Sequence, residues 1–198
     1  MFYSILRFIG IFIFKILFRL EAQGLEHIPK KGGFILASNH SSYLDPIALG
    51  IVCKRPLNYM AKKELFRGSL AAKFFSKINV FPVKRDSADI WAIKEAIRRV
   101  RLGGALVLFP EGSRRFDGVS PEPYSGIGFL TVKLSVPVIP VFIKGAEEAW
   151  PKGAKLIRPR KIVVYFGKQI FVERGMPYQE IARLIMASIK EFSRQAVY

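Results

Sequence analysis

Cysteine is almost missing from this sequence. Cys53 is the only one in 198 residues, which excludes an intrachain disulfide and fits a reducing compartment. Histidine is nearly as scarce, with His27 and His40 alone, and no Cys or His cluster has metal-ligand spacing, so no metal is expected. Acid is short as well. Fifteen Asp plus Glu face 32 Lys plus Arg, a formal net charge of +17. Such an excess implies an anionic partner: nucleic acid, an acidic membrane surface or a phosphorylated substrate. No zinc-finger spacing, single-strand RNA motif or helix-turn-helix signature accompanies the charge, so nucleic acid is not expected. A long apolar run is the last absence. The greasiest segment, residues 1–20, has Phe8 to Phe14 as its longest uncharged interior run, far short of the roughly 20 residues a spanning helix needs.

What is present is grease beside charge. Hydrophobic residues make up 51% and include 17 Phe, which excludes disorder and points the basic excess first toward lipid. On a helical wheel Ser4, Arg7, Lys15 and Arg19 fall within about 120° of one another, and the rest of residues 1–20 is apolar. A helix of this kind lies in the membrane interface, with acyl chains on one side and lipid phosphates on the other. A signal peptide would need a clean apolar middle, which Lys15 and Arg19 interrupt, although Ala22-Gln23-Gly24 imitates a cleavage site. A spanning helix with snorkelling cations and a helix packed on the protein's own core are the other readings.

From Gly24 onward short apolar strands alternate with helices. Phe34–Ala37, Val80–Val83, Ala105–Phe109, Val138–Phe142 and Ile162–Phe166 read as strands. Asp45–Cys53 reads as a helix with Asp45 at the N-cap and Pro46 in the first turn. Asp89–Leu102 and Tyr178–Phe192 carry apolar residues at helical spacing. No repeat, low-complexity tract or linker divides them. The expectation is an α/β fold, a mostly parallel sheet flanked by helices, over residues 21–198, preceded by a membrane-anchoring helix over 1–20. The single cysteine falls in the apolar stretch Ile47–Cys53 and is expected to pack rather than react.

In open α/β sheets ligands bind beyond the carboxyl ends of the strands. Two polar clusters occupy such places. Ser38-Asn39-His40 follows one strand and Pro110-Glu111-Gly112-Ser113-Arg114-Arg115 follows another, so parallel strands would open both onto one rim. A turn entering a helix can bring the Asp45 carboxylate back to the His40 imidazole. It would fix the tautomer and leave the other ring nitrogen to take a proton from a hydroxyl. The plain alternative is a capping aspartate and a satisfied turn histidine. Ser41 and Ser42 suit the start of a helix better than a nucleophile's strained elbow. Gly112 permits close backbone approach to a ligand, and a guanidinium at Arg114 or Arg115 can grip phosphate through two parallel N–H bonds. Lys62, Lys63 and the pair Lys84-Arg85 add charge after other apolar segments.

Together these pieces resemble the glycerolipid acyltransferase family of bacterial and eukaryotic lysophosphatidate acyltransferases. The block N-H-x-x-x-x-D stands as Asn39-His40-Ser41-Ser42-Tyr43-Leu44-Asp45, and another as Phe109-Pro110-Glu111-Gly112-Ser113-Arg114. A Pro-rich apolar strand stands as Val136-Pro137-Val138-Ile139-Pro140-Val141, and the remaining block resembles Asn79-Val80-Phe81-Pro82-Val83-Lys84-Arg85. Met60–Phe66 is similar to the segment between the first two blocks. The resemblance runs in family order from about Leu20 to Gly145. Two departures stand out. Asn79 takes the place of a usual Gly, and Pro123-Tyr124-Ser125-Gly126 lacks the basic residues common there.

The resemblance implies that His40 deprotonates the sn-2 hydroxyl of lysophosphatidate, which attacks the thioester of acyl-CoA or acyl carrier protein. Asp45 would orient His40. Lys62, Arg85 and Arg114 would hold the glycerol phosphate, and Glu111, Gly112 and Ser113 would line the acceptor pocket, unless Glu111 pairs with an arginine instead. No cofactor beyond the thioester co-substrate is implied. The expected place is the cytoplasmic face of the cell membrane, against anionic lipids. Another lysolipid or glycerol 3-phosphate is the alternative acceptor. A non-catalytic basic protein, supported by the cation-rich stretch 152–168, is the reading from another class.

Overall fold

The computed structural model describes residues 2–84, 89–112, 122–151, 153–173 and 175–195. Helix α1 (Phe2–Phe18) opens the chain, followed by strand β1 (Glu21–Gln23), β2 (Phe34–Ser38) and α2 (Asp45–Val52). Next come β3 (Leu57–Lys62), a 3₁₀ turn (Lys63–Phe66), α3 (Ser69–Lys77) and β4 (Val80–Val83). Then follow α4 (Ile90–Arg101), β5 (Ala105–Leu108), α5 (Gly126–Leu134), β6 (Val138–Lys144), the short α6 (Ala146–Ala149), β7 (Val163–Phe166) and α7 (Tyr178–Gln195).

The strands form one sheet in the order β1-β7-β6-β2-β5-β3-β4. Strands β6, β2, β5, β3 and β4 all run parallel. At the far edge β7 runs antiparallel to β6, and β1 runs parallel to β7. This is the mostly parallel sheet the sequence predicts, with a reversed pair added. Period-two alternation splits β2 between two cores. Phe34 and Leu36 join α1, α2 and α6 on one face, whereas Ile35 and Ala37 join α4, α5 and α7 on the other. Both faces are covered, which is why these strands are continuous apolar runs.

Helix α1 packs by a narrow stripe. Phe14 and Phe18 are buried, Arg7 Nε donates to the Ile51 carbonyl of α2 at 2.9 Å, and Gly10 allows Ile51 to come close. So Arg7, expected in the lipid-facing cationic stripe, ties α1 to α2 instead. The remaining face exposes Ile5, Phe8, Ile9, Phe12, Ile13, Ile16 and Leu17. Among the described residues no helix is long and apolar enough to cross a membrane.

Candidate active site

Strands β2 and β5 lie side by side with Ala37 opposite Leu108, so the polar clusters that follow them leave the sheet together. They touch at once. The His40 imidazole stacks on the Phe109 ring with centroids 4.0 Å apart and planes 20° from parallel.

His40 Nδ1 sits 2.8 Å from Asp45 Oδ2. The same oxygen accepts the backbone N–H groups of Ser41 and Ser42, each at 2.7 Å. An oxygen taking two N–H donors accepts from the ring as well, so Nδ1 carries a proton and Nε2 is left as the basic nitrogen. Asp45 is wholly buried and His40 nearly so, which strengthens the contact electrostatically. Asp45 Oδ1 is buried with no hydrogen-bond partner among the described residues. The helix-cap expectation is displaced by one residue. Leu44 occupies the N-cap with no side-chain cap bond, and Asp45 is the first residue of α2. The carboxylate turns back to the preceding loop because two backbone donors and an imidazole converge there.

Two further side chains fix this turn. Asn39 Nδ2 donates to the Ile143 carbonyl at 3.0 Å, and its Oδ1 accepts the Ile143 N–H at 2.7 Å. One side-chain amide thereby extends the β2–β6 ladder beyond Ser38. Ser42 Oγ donates to the Trp150 carbonyl at 2.6 Å and accepts Leu44 N–H at 3.2 Å. Wholly buried and committed in both directions, that hydroxyl is not poised as a nucleophile. Sequence reading gave neither clamp, and it quoted Phe109 only as a strand end and the start of a family block, with no contact to His40. The ring's place immediately after a strand at the rim was the one available signal.

The other expected site residues divide by strand. Lys62 ends β3, beside β5, and is exposed at the same rim. Glu111 and Gly112 follow β5 after Phe109 and Pro110. Gly112 has φ +69°, and a Cβ there would come within 2.3 Å of the Tyr124 ring. The close approach foreseen for a ligand is thus made by the protein's own tyrosine, 67% exposed above the loop. Ser113 and Arg114 lie outside the described residues, as does Arg85. Asn79 adopts φ 61°, a left-handed conformation that asparagine tolerates nearly as glycine does, so the first departure from the family pattern keeps a glycine-like backbone.

Neighbouring groups are settled rather than reactive. Burial pushes the Tyr59 phenol well up, and its hydroxyl donates to the Pro46 carbonyl at 2.8 Å, supporting the first turn of α2. Burial likewise raises the Cys53 thiol, in keeping with a packing role. Backbone N–H donation from Lys84 and then Ala92 lowers the Asp89 carboxyl, which caps α4 where the chain returns from the rim.

An imidazole held by a buried carboxylate at the carboxyl rim of a parallel sheet has the geometry that a general base in an α/β protein requires. Comparison with known proteins narrows that class. The model of the acyltransferase family matches residues 19–144. The 1-acyl-sn-glycerol-3-phosphate acyltransferase of Bacillus subtilis is 30% identical over 152 residues, covering 76% of this chain and 73% of that protein. Its namesake from Limnanthes alba is 31% identical over 74% of this chain, which spans about half that plant protein (53%). The crystal structure of the 1-acyl-sn-glycerophosphate acyltransferase PlsC from Thermotoga maritima matches with TM-score 0.78 and 25% identity, over 96% of this chain and 79% of that one. The chain belongs to the acyltransferase family.

Proposed function

We propose that the protein transfers a fatty acyl chain from a thioester, acyl-CoA or acyl carrier protein, to the free sn-2 hydroxyl of lysophosphatidate, giving phosphatidate for phospholipid synthesis. The observation that carries this reading is the 2.8 Å pairing of His40 with buried Asp45, its ring stacked on Phe109, the residue just before the second cluster. The relatives' names supply the acceptor.

In the proposed step Nε2 of His40 takes the hydroxyl proton while the alkoxide-like oxygen attacks the thioester carbonyl. The tetrahedral intermediate collapses, the C–S bond breaks, and the imidazolium returns its proton to the departing thiolate. Asp45 holds the ring and stabilises its cationic form. Lys62, exposed at the end of β3, would meet the acceptor's phosphate, with Arg85 and Arg114 assigned the same role by the family motif. Glu111, Gly112 and Ser113 would shape the acceptor pocket. The thioester is already an activated acyl group, so no resident cofactor enters. The exposed apolar face of α1 would rest on the anionic, cytoplasmic surface of the membrane, making residues 1–20 an anchor for the domain over 21–198.

A donor-by-acceptor activity matrix on wild type and His40→Ala tests the proposal. Lysophosphatidate turnover should fall by roughly 10²–10⁴-fold in the variant while lipid binding persists. Wild-type protein that acylates only glycerol 3-phosphate or another lysolipid would overturn the acceptor, and an undiminished variant would overturn the mechanism.

A further inference from the structure

Helix α3 is unusual in burying nothing fully. Its inner side rests on the core through half-buried Phe75, which meets Phe66 with ring centroids 5.1 Å apart. Its outer side carries Leu70, 84% exposed, and Phe74, 44% exposed, one turn apart. An apolar outer face on a helix already packed by its inner face calls for a second partner. Lys73 and Lys77 stand on the same outer side, and both are exposed. From Lys62 to Lys77 the sequence has Lys62, Lys63, Arg67, Lys73 and Lys77 against Glu64 alone.

This face is continuous with α1. The Phe2 ring meets Phe74 edge-on with centroids 6.3 Å apart, and Lys77 Nζ lies 5.1 Å above the Phe2 ring centre. Cations interleaved with large apolar side chains match an interface that is phosphate above and acyl chain below. A protein partner or a second copy would ask for acidic groups opposite these lysines, and α3 offers none for a symmetric pairing.

We infer that the outer face of α3, through Leu70 and Phe74 with Lys73 and Lys77, is a second foothold on an anionic lipid bilayer, distinct from α1 in sequence and joined to it at Phe2–Phe74. The inference rests on the membrane reading of α1 given above. Two helices meeting the lipid would define a plane, where one helix defines only a line.

Flotation with phosphatidylcholine vesicles, with and without phosphatidylglycerol, tests it on the full chain. Leu70→Glu/Phe74→Glu should weaken binding to the anionic vesicles roughly tenfold or more, with an unchanged far-UV spectrum and unchanged turnover of short-chain acceptor in solution. Phe8→Glu/Phe12→Glu on α1 serves as the control. Loss of binding in the α1 variant with full binding in the α3 variant overturns the foothold and leaves the membrane reading standing. Absence of vesicle binding by wild type overturns both. A wild-type dimer that the α3 substitutions convert to monomer, with vesicle binding intact, assigns the face to a second copy and overturns the inference. Leu70→Trp gives a separate readout: its emission should shift to the blue on anionic vesicles and be quenched by brominated acyl chains, and an unmoved spectrum counts against insertion.

Discussion

At the amino ends of the strands Arg55 and Arg99 close on neighbouring polar groups, whereas at the carboxyl ends His40 is buried against its supports and Lys62 stands exposed. Arg99 Nη1 donates to Asn58 Oδ1 at 2.9 Å and to the Asn79 carbonyl at 3.2 Å, and its Nε donates to Glu95 at 2.7 Å. Arg55 donates to the Pro29 carbonyl at 2.9 Å and to that of Gly103. Each guanidinium also covers an aromatic face, Arg55 over Phe34 and Arg99 over Phe81. Cations at this rim staple strand to crossover. At the opposite rim the polar groups are held just as firmly, but by their backs. Asn39, Ser42 and Asp45 anchor the turn, and the imidazole they position is held through Nδ1, away from Nε2. Polar groups stabilise at one end and are proposed to react at the other, and their bonding partners tell them apart.

Substitutions should separate the rims. Asp45→Asn is expected to have the largest effect, lowering turnover by roughly 10²–10⁴-fold by disturbing the tautomer and the charge behind His40. Steady-state kinetics beside a melting curve would check it, and turnover within a fewfold of wild type would contradict the roles assigned. Arg99→Ala should do the reverse, costing about 1–3 kcal/mol of stability by leaving Asn58 without its donor, with kcat nearly unchanged. Denaturant unfolding measures this. A large loss of kcat in the fully folded variant would break the contrast. Phe109→Leu removes a stacked ring worth about 0.5–1.5 kcal/mol and should reduce kcat severalfold with little change in KM, while Phe109→Tyr retains activity. Glu95→Gln should be smallest. Arg98 above all, with Arg99, holds the Glu95 carboxyl down at about 2 rather than 4.5. That depression contributes stability above pH 4.5, which is lost as pH falls toward 2. The variant should therefore melt at slightly lower temperature than wild type at neutral pH, and the gap should close in acid. A constant gap would show that the ion pair contributes nothing.

Much of the carboxyl rim was legible in the sequence. The runs 34–37 and 105–109 announced buried strands, and their neighbours in the chain announced which polar residues would share an edge. Less of the rest was. Strand β1 is Glu-Ala-Gln, three residues with no apolar alternation, and it is a strand only because β7 pairs with it. The direction of β7 was equally hidden, since an apolar run such as Val163–Phe166 reads the same whichever way it points. Helix α5, Gly126–Leu134, mixes glycine and threonine with apolar residues and has little periodic signal. The clamps of Asn39 on Ile143 and Ser42 on Trp150 span more than a hundred positions, a distance over which local propensity carries no information. The N-cap shift at Asp45 has the same cause: a tertiary demand on the carboxylate outweighed the local preference.

The junction between α1 and the sheet has its own consequence. Helix α1 ends at Phe18 and β1 begins at Glu21. Between them Arg19 turns with φ 44°, Leu20 N–H bonds back to the Phe14 carbonyl at 3.2 Å, and Ile162 N–H bonds to that of Phe18 at 2.9 Å. No slack remains for a leash. If α1 rests on lipid, the sheet cannot swing beneath it, and the altitude of the imidazole above the headgroups is set by the welded corner at residues 18–21. A flexible insert at that corner would leave the chemistry intact and let its height wander.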